Sequence, residues 1–563
     1  MGDTSAPARK PPARSLPVIG ALRLNRPAEI WYKPALSVVI ASAVPDLLLY
    51  SLGRLDLVVY TMAGSLCALY GHHLPYARRA HTVGRVVSGM AAGLAVSLVV
   101  ASLVGSTAVL IAVGALLAAV QKAFCDATRI GPPGNVIFAF VTSAALFVPQ
   151  EIGQVPGHLA LMLAAGAFAW LVTAGPALWR REGPERLATA RALDAAAACA
   201  AAPGTLTRHA AAAAVQDAWH ALLAAGRPTP VRQALERLVA HAERALAAPP
   251  AGGARPDELR RWAKATRSRG PVPEPTAAPG TVEQLFAPDA ERAAQRMRRG
   301  RHEARRRLWR ALTPGSPVLP VAFRTLVGCA LAGYASSALG VGHPYWAVVT
   351  AASVFQPNLS LSWNRGLQRT VGNLLGVLVF AAVIPLARTG PLVLLLCVLS
   401  FNFAAEALIT RNYWLGSVAV TPMALLVLEF GGSAPAGVLV ADRALDTVVG
   451  VVAALAAAVA VTNRRAAGRV EKALAAAEEV RICAERTVAD PAAGAPALAT
   501  ARRELTSALV ELRDAGDVAS GEWRQRALPE EALLAAERAG HRTLAATGRR
   551  QGLITLARAD GVV

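Results

Sequence analysis

The chain has 563 residues, 54% of them hydrophobic and 17% charged, with a formal net charge of +21 carried mostly by arginine. That is too apolar for an ordinary soluble protein and too charged for a bare membrane bundle. Six scattered cysteines without a C-x-x-C pair speak against a disulfide framework or a metal site. With no zinc knuckle and no aromatic-rich RNA motif, the positive charge points to anionic lipid and membrane orientation rather than to nucleic acid.

Residues 1–35 are basic and proline-rich, lack a signal peptide's apolar run and cleavage site, and read as a disordered cytoplasmic tail. An apolar block follows at 36–179. Glycine, proline and charge divide it into six candidate spans at about 36–53, 55–71, 82–104, 106–125, 133–149 and 156–179. Residues 180–319 are charged. Their helical part, 182–248, is rich in Ala, Leu, Arg and Glu, with apolar residues at helical spacing such as Val231, Leu235, Leu238 and Val239. Residues 249–280 read as a flexible linker. The stretch 291–312 holds nine arginines and Trp309, and reads as a basic helix that attracts anionic lipid at a membrane face.

A second apolar block, 320–462, gives six further spans at about 320–340, 343–356, 369–387, 389–409, 412–431 and 438–462. The C-terminal block, 463–563, again reads as helical hairpins, with breaks at Pro491 and Gly516. The fold class is therefore an all-α integral membrane protein. Arg78, Arg79, Lys122, Arg129, Arg365, Arg369 and Arg411 fall on one side, against Arg54, Arg388 and Arg443 on the other. The excess places both termini and both charged blocks in the cytoplasm, and the chain in the cytoplasmic membrane.

The two blocks repeat one another. Thr82-Val83-Gly84 matches Thr370-Val371-Gly372 at an offset of 288 residues, and the starts of the spans roughly follow the same offset. Two parallel repeats result, each of six transmembrane helices followed by a cytoplasmic helical domain. The span 343–356 is short and breaks at Gln356-Pro357, and its counterpart, 55–71, is also short. Short, interrupted spans at matching places point to a transport site, because free backbone groups are tolerated only where they face a cavity or protein.

The candidate residues follow from that break. Arg365 and Arg369 either set the topology or attract an anionic substrate; Thr350 and Gln356 lie at the break. Tyr345, Trp346, Tyr413 and Trp414 could stack on an aromatic ligand or anchor at the membrane interface. Glu406 and Asp446 are carboxylates in apolar spans, candidates for proton coupling. Arg443 stands one turn from Asp446 and can neutralise it. Pro357, Gly372, Gly376 and Gly450 read as structural, the glycines by allowing close helix packing. No nucleotide-binding loop, catalytic constellation or cofactor motif is visible, so the chain reads as no enzyme.

The stretch HPYWAVVTAASVFQPNLSLSWNRGLQRTVGNLLGVL, with Arg443-x-x-Asp446-Thr447-x-x-Gly450, resembles the signature of the fusaric acid resistance protein-like family within the aromatic acid exporter superfamily. The first block departs from it: His81 stands in place of Arg369, and His158 in place of Asp446. The resemblance implies proton-driven export of small, often aromatic, organic acids. An anion channel, or a membrane scaffold that transports nothing, are the alternative readings. Expected partners are the bilayer, anionic lipid at 291–312, a small organic anion and a second copy of the chain.

Overall fold

A computed structural model describes residues 18–25, 27, 29–179, 182–225, 229–247, 255–268, 270–273, 309, 313, 316, 318–356, 358–432, 435–461, 466–520 and 529–559. Their regular elements are all helical. The first block contains α1 (Ile19–Leu22), α2 (Tyr32–Ser51), α3 (Val58–Ser65), α4 (Tyr76–Leu103), α5 (Thr107–Thr128), α6 (Val136–Leu146) and α7 (Val155–Ala174). Four helices follow: α8 (Gly183–Ala201), α9 (Thr205–Ala224), α10 (Pro230–Ala247) and α11 (Pro256–Arg267). The second block holds α12 (Val318–Ala338), α13 (Tyr345–Val354), α14 (Leu359–Ala387), α15 (Pro391–Ile409), α16 (Tyr413–Leu428) and α17 (Ala436–Ala460). The chain then forms α18 (Ala466–Ala489), α19 (Ala495–Ser520) and α20 (Glu530–Ala559).

Each of the twelve expected apolar segments is a helix, but only nine among the described residues are long and apolar enough to cross a membrane. Three are shorter: Leu55–Leu69, built around α3, and the helices α6 and α13. The ten residues of α13 extend about 15 Å, half of the roughly 30 Å of hydrocarbon. The long helices leave apolar rows on the outside, such as Leu36, Ile40, Val44 and Leu47 on α2 and Leu374, Leu375 and Leu378 on α14. Lipid chains would cover such rows.

Packing partners correspond between the blocks. In the first, α2 touches α3 and α7, α3 touches α7, α4 touches α6 and α7, and α5 touches α6. In the second, the pairs are α12 with α13 and α17, α13 with α17, α14 with α16 and α17, and α15 with α16. Where the blocks meet, α12 packs on α5 and α15 packs on α2. Each contact therefore joins the first helix of one block to the fourth apolar helix of the other.

Outside the apolar blocks, α8 to α11 close around Leu193, Val215, Leu235, Leu238 and Leu259. A smaller core of Leu505, Leu509 and Leu544 joins α19 to α20. The two units meet through the buried ion pair Arg502–Glu243, 2.9 Å, and a 2.7 Å hydrogen bond from Gln216 Nε2 to Ser507 Oγ.

Several boundaries differ from expectation, each for a local reason. The segment 18–25 is not a loose tail, because its backbone carbonyls are taken by buried side chains described below. Helix α14 starts at Leu359, ten residues before its expected start, because the Asn358 side chain caps it by accepting from the Leu361 N–H at 2.8 Å. The stretch read as a linker contains α11, which buries Leu259 and Ala263 and has acids in its first turn and bases in its last. Gly516 does not break the chain: it lies inside α19 and approaches Leu533 of α20. The remainder of the linker at 249–254, 269 and 274–280, Pro357, and the basic stretch 291–312 apart from Trp309 lie outside the described residues.

Candidate functional site

All three short helices line one cavity of about 440 Å³, α3 along its length, α6 in its second half and α13 at its beginning. Its walls include Tyr60 from α3, Phe140 from α6, Phe147 just after α6, Tyr345 and Trp346 from α13, and Leu439 from α17. It borders the Phe147–Pro149 segment that precedes α7, the end of α16 and the beginning of α17; α7 and α17 run from there towards α8 and α18, so it lies at the end of the bundle away from those helices. The rings form ordered contacts. Tyr345 lies 5.6 Å from Phe147 and 5.5 Å from Trp346, and His343 stacks on Trp346 at 4.9 Å. On the opposite wall His158 stacks on Tyr60 at 3.8 Å.

Polar groups at the cavity are few and are held by partners. His343 Nδ1 meets Asp442 Oδ2 at 2.9 Å, and Arg54 pairs with Asp56 at 3.0 Å. Gln150 bridges His158 and the Tyr60 hydroxyl. An apolar, aromatic cavity with a few placed polar groups is the usual form of a small-molecule site.

Trp346 is also the roof of a second layer. The Arg443 guanidinium lies 5.2 Å from the centre of its ring, one helical turn below Leu439 on α17. Arg443 is 2% exposed, and its Nε and Nη1 have no hydrogen-bond partner. No ion pair joins it to Asp446 among the described residues. Asp446 Oδ1 instead accepts a hydrogen bond from Ser336 on α12, and Oδ2 has no partner. Thr350 Oγ1, fully buried on α13, also lacks one. Beside this layer a chain of amide and hydroxyl groups ties three helices together: Asn373 Nδ2 donates to Thr447 Oγ1, and Thr421 Oγ1 donates to Asn373 Oδ1, both at 3.0 Å.

Arg369 continues the line. It is buried, its Nη1 donates to the Tyr413 hydroxyl at 2.8 Å, and its Nε is unpartnered. Arg365 sits over the Tyr413 ring at 3.8 Å. Neither arginine lies in a loop, since α14 already spans both.

The end of the bundle nearer α8 and α18 is covered. The segment after Val18 crosses it, accepting hydrogen bonds from Gln368 Nε2 at Ala21 O, from Asn412 Nδ2 at Ala21 O and Arg23 O, and from Trp414 Nε1 at Leu22 O. Asn358, at the helix break, donates to the backbone carbonyls of Asp517 and Val518 at the end of α19.

The expected site residues thus divide by depth. Tyr345 and Trp346 line the cavity, Thr350 and Asp446 lie below, and Arg365, Arg369 and Tyr413 form the inner cluster. Trp414 holds the N-terminal segment, and Gln356 bonds only locally, its Nε2 to Phe355 O and its N–H to Ser362 Oγ. Glu406 stands apart on α15, one turn from Asn402, which reaches Ser42 on α2 at 3.5 Å. No ion pair with Arg411 forms among the described residues. A Cβ on Gly372 would lie 2.5 Å from Ser417 Cβ and Trp414 O, and one on Gly450 2.7 Å from Ala347 O. Sequence reasoning missed Asn373, Thr421 and the cavity wall from the first block. An amide in the middle of an apolar span was the available signal for Asn373.

Residues 329–457 match the family model described as fusaric acid resistance protein-like. The match covers α13 to α16, nearly all of α17 and part of α12, and includes every polar group of the layer beneath Trp346. The resemblance read from the sequence is therefore borne out over this segment. The chain is also similar to the uncharacterized membrane protein YvaC of Bacillus subtilis (strain 168), 25% identical over 480 residues, which are 78% of this chain and 74% of that protein. No solved structure matches the chain. With nine candidate spans and this family segment, the protein is a multi-pass membrane protein.

Proposed function

We propose that the chain is a secondary transporter that exports small aromatic organic acids across the cytoplasmic membrane, using the proton gradient. The observation that carries this reading is the aromatic cavity between the two blocks, with buried guanidinium groups immediately beneath it. A ring can stack among Tyr60, Phe147, Tyr345 and Trp346, and an acid group can turn towards the arginines. Corresponding packing partners in the two blocks support a duplicated carrier, with its substrate site at the junction. The lysines and arginines in the short loops support cytoplasmic termini and cytoplasmic helical units, with the cavity on the external side. Anionic lipid at 291–312 belongs to the same reading.

Export requires energy, and Glu406 and Asp446, carboxylates on the spans of the second block, are the proposed proton carriers. Each stands in an apolar surrounding where holding and releasing a proton costs less than holding a permanent charge. The test is accumulation of a panel of radiolabelled aromatic carboxylates in cells with and without the protein. Lower accumulation in the cells that carry it, abolished by a protonophore, supports the reading. Equal accumulation of every acid in the panel contradicts it. Flux that persists without a proton gradient would favour the channel alternative.

A further inference from the structure

Buried arginines in this molecule come in two kinds. Arg79, 4% exposed, donates from Nε to Gly71 O at 2.9 Å, from Nη2 to His72 O and Leu74 O at 2.8 and 3.1 Å, and from Nη1 to Thr173 O at 3.4 Å. It closes the broken helix of the first block, and each of its three nitrogens has a carbonyl partner. Arg443 is as deeply buried, yet two of its nitrogens meet nothing. Its one close aromatic contact, the Trp346 ring, offsets part of the charge but accepts no hydrogen bond in the guanidinium plane. The carboxylate that could neutralise it, Asp446, is turned to Ser336. Arg369 adds a second buried guanidinium with an unpartnered Nε. An uncompensated cation in a membrane interior is costly, so it persists where an anion completes it.

We infer that Arg443, with Arg369, forms a carboxylate-binding site beneath Trp346 that takes the acid group of a small monoanion whose apolar part occupies the cavity. The planar fork of a guanidinium matches a carboxylate in two parallel hydrogen bonds. Thr350 Oγ1, free and fully buried, supplies a neutral donor in the same interior. Trp346 lines the cavity and covers Arg443, so it lies on the way from one to the other. This deepens the proposed function and rests on it, since the aromatic acid is the ligand that both parts of the site would hold.

The test uses the full-length protein in lipid nanodiscs. Benzoate, benzamide and acetate are titrated by calorimetry, and thermal unfolding is followed with each. The wild type is expected to bind benzoate at least about 10-fold more tightly than benzamide, and benzoate is expected to raise Tm. Arg443→Gln is expected to remove that preference, while its Tm without ligand equals or exceeds the wild-type value, because an unpaired buried charge has gone. Unchanged benzoate affinity in Arg443→Gln overturns the site, and a lower ligand-free Tm alongside it would identify a structural arginine. Should Arg443→Gln not yield monodisperse protein, Arg443→Lys carries the test. A point charge without the fork is expected to weaken benzoate about 10-fold and leave benzamide unchanged; unchanged benzoate affinity overturns the site here too. The probes separate the two readings. Acetate binding that Arg443→Gln abolishes, with no preference for benzoate, keeps the anion site and removes the aromatic substrate. Benzamide binding as well as benzoate keeps the cavity and removes the anion site. A wild type that binds none of the three overturns both.

Discussion

Arg79 and Arg443 both bury a guanidinium among apolar helices, with opposite outcomes. One is surrounded by backbone carbonyls that a helix break has left free; the other lies against a ring, and its Nε and Nη1 meet no acceptor. Glycines show the same dependence on surroundings. Gly84 and Gly372 hold matching places in the two Thr-Val-Gly motifs, yet a Cβ on Gly84 meets nothing within 4 Å while one on Gly372 meets Ser417 and the Trp414 carbonyl at 2.5 Å. The backbone atom in that contact cannot rotate away. Gly372→Ala is therefore expected to lower stability by about 1–3 kcal/mol through overpacking. Gly84→Ala should be neutral, or stabilising by up to about 1 kcal/mol through helix propensity. Thermal unfolding of the two variants measures the contrast, and equal effects would contradict the packing described. Glycine spacing was legible in the sequence, but which glycine touches a neighbour depends on helix rotation, which a local motif does not encode.

At the scale of elements, apolar length and its interruptions were legible, and all twelve apolar segments became helices. Their starts were less so, because a cap such as Asn358 acts through one hydrogen bond and leaves no mark in hydropathy. The N-terminal segment was missed for a related reason. Its binding is through carbonyls of Ala21, Leu22 and Arg23, which every sequence possesses, and the informative residues are Gln368, Asn412 and Trp414 far along the chain. The helical units outside the apolar blocks join at a contact that includes the buried ion pair Arg502–Glu243. Removing one member, as in Arg502→Met, leaves the buried Glu243 charge with the Trp219 indole N–H but no cation, and is expected to cost about 3–5 kcal/mol. The double change Arg502→Met with Glu243→Leu should recover most of that loss, and chemical unfolding of the single and double variants reads the cycle. Failure of the double change to recover stability would show that the pair contributes through other contacts.

A second prediction belongs to the same helices. Burial, with Arg208 and His209 nearby, pushes His541 of α20 from its ordinary 6.5 down to about 4. The folded protein therefore keeps this imidazole neutral where the unfolded chain would protonate it. Stability from this group is complete above about 6.5 and is lost as pH falls towards 4. Unfolding midpoints measured from pH 7.5 to 4 should fall in the wild type and fall less in His541→Gln. Parallel curves for the two proteins would remove His541 from the account.

For the whole molecule, the informative relation is between blocks that pack alike and chemistry that does not. Both blocks use the same helix pairs, and each joins its first helix to the other's fourth apolar helix. The second holds Arg443, with two unpartnered nitrogens, and the Asn373–Thr421–Thr447 chain, while the first contributes Tyr60, Phe147 and an Arg79 whose three nitrogens all have carbonyl partners; each block buries one aspartate with an unpartnered oxygen, Asp46 and Asp446. One matching motif and a common layout were legible in the sequence, and the same helix pairs pack in both blocks. The division of roles was not, because the cavity wall is assembled from short helices of both blocks that lie far apart in the chain. The central claim is that this junction carries an aromatic carboxylate across the membrane. Its most direct test is uptake of radiolabelled benzoate into sealed proteoliposomes with an imposed pH gradient, corrected for the flux of protein-free vesicles. Protein-dependent benzoate movement that responds to the gradient and is lost in Arg443→Gln is the predicted result; flux equal to that of protein-free vesicles under every gradient would contradict it.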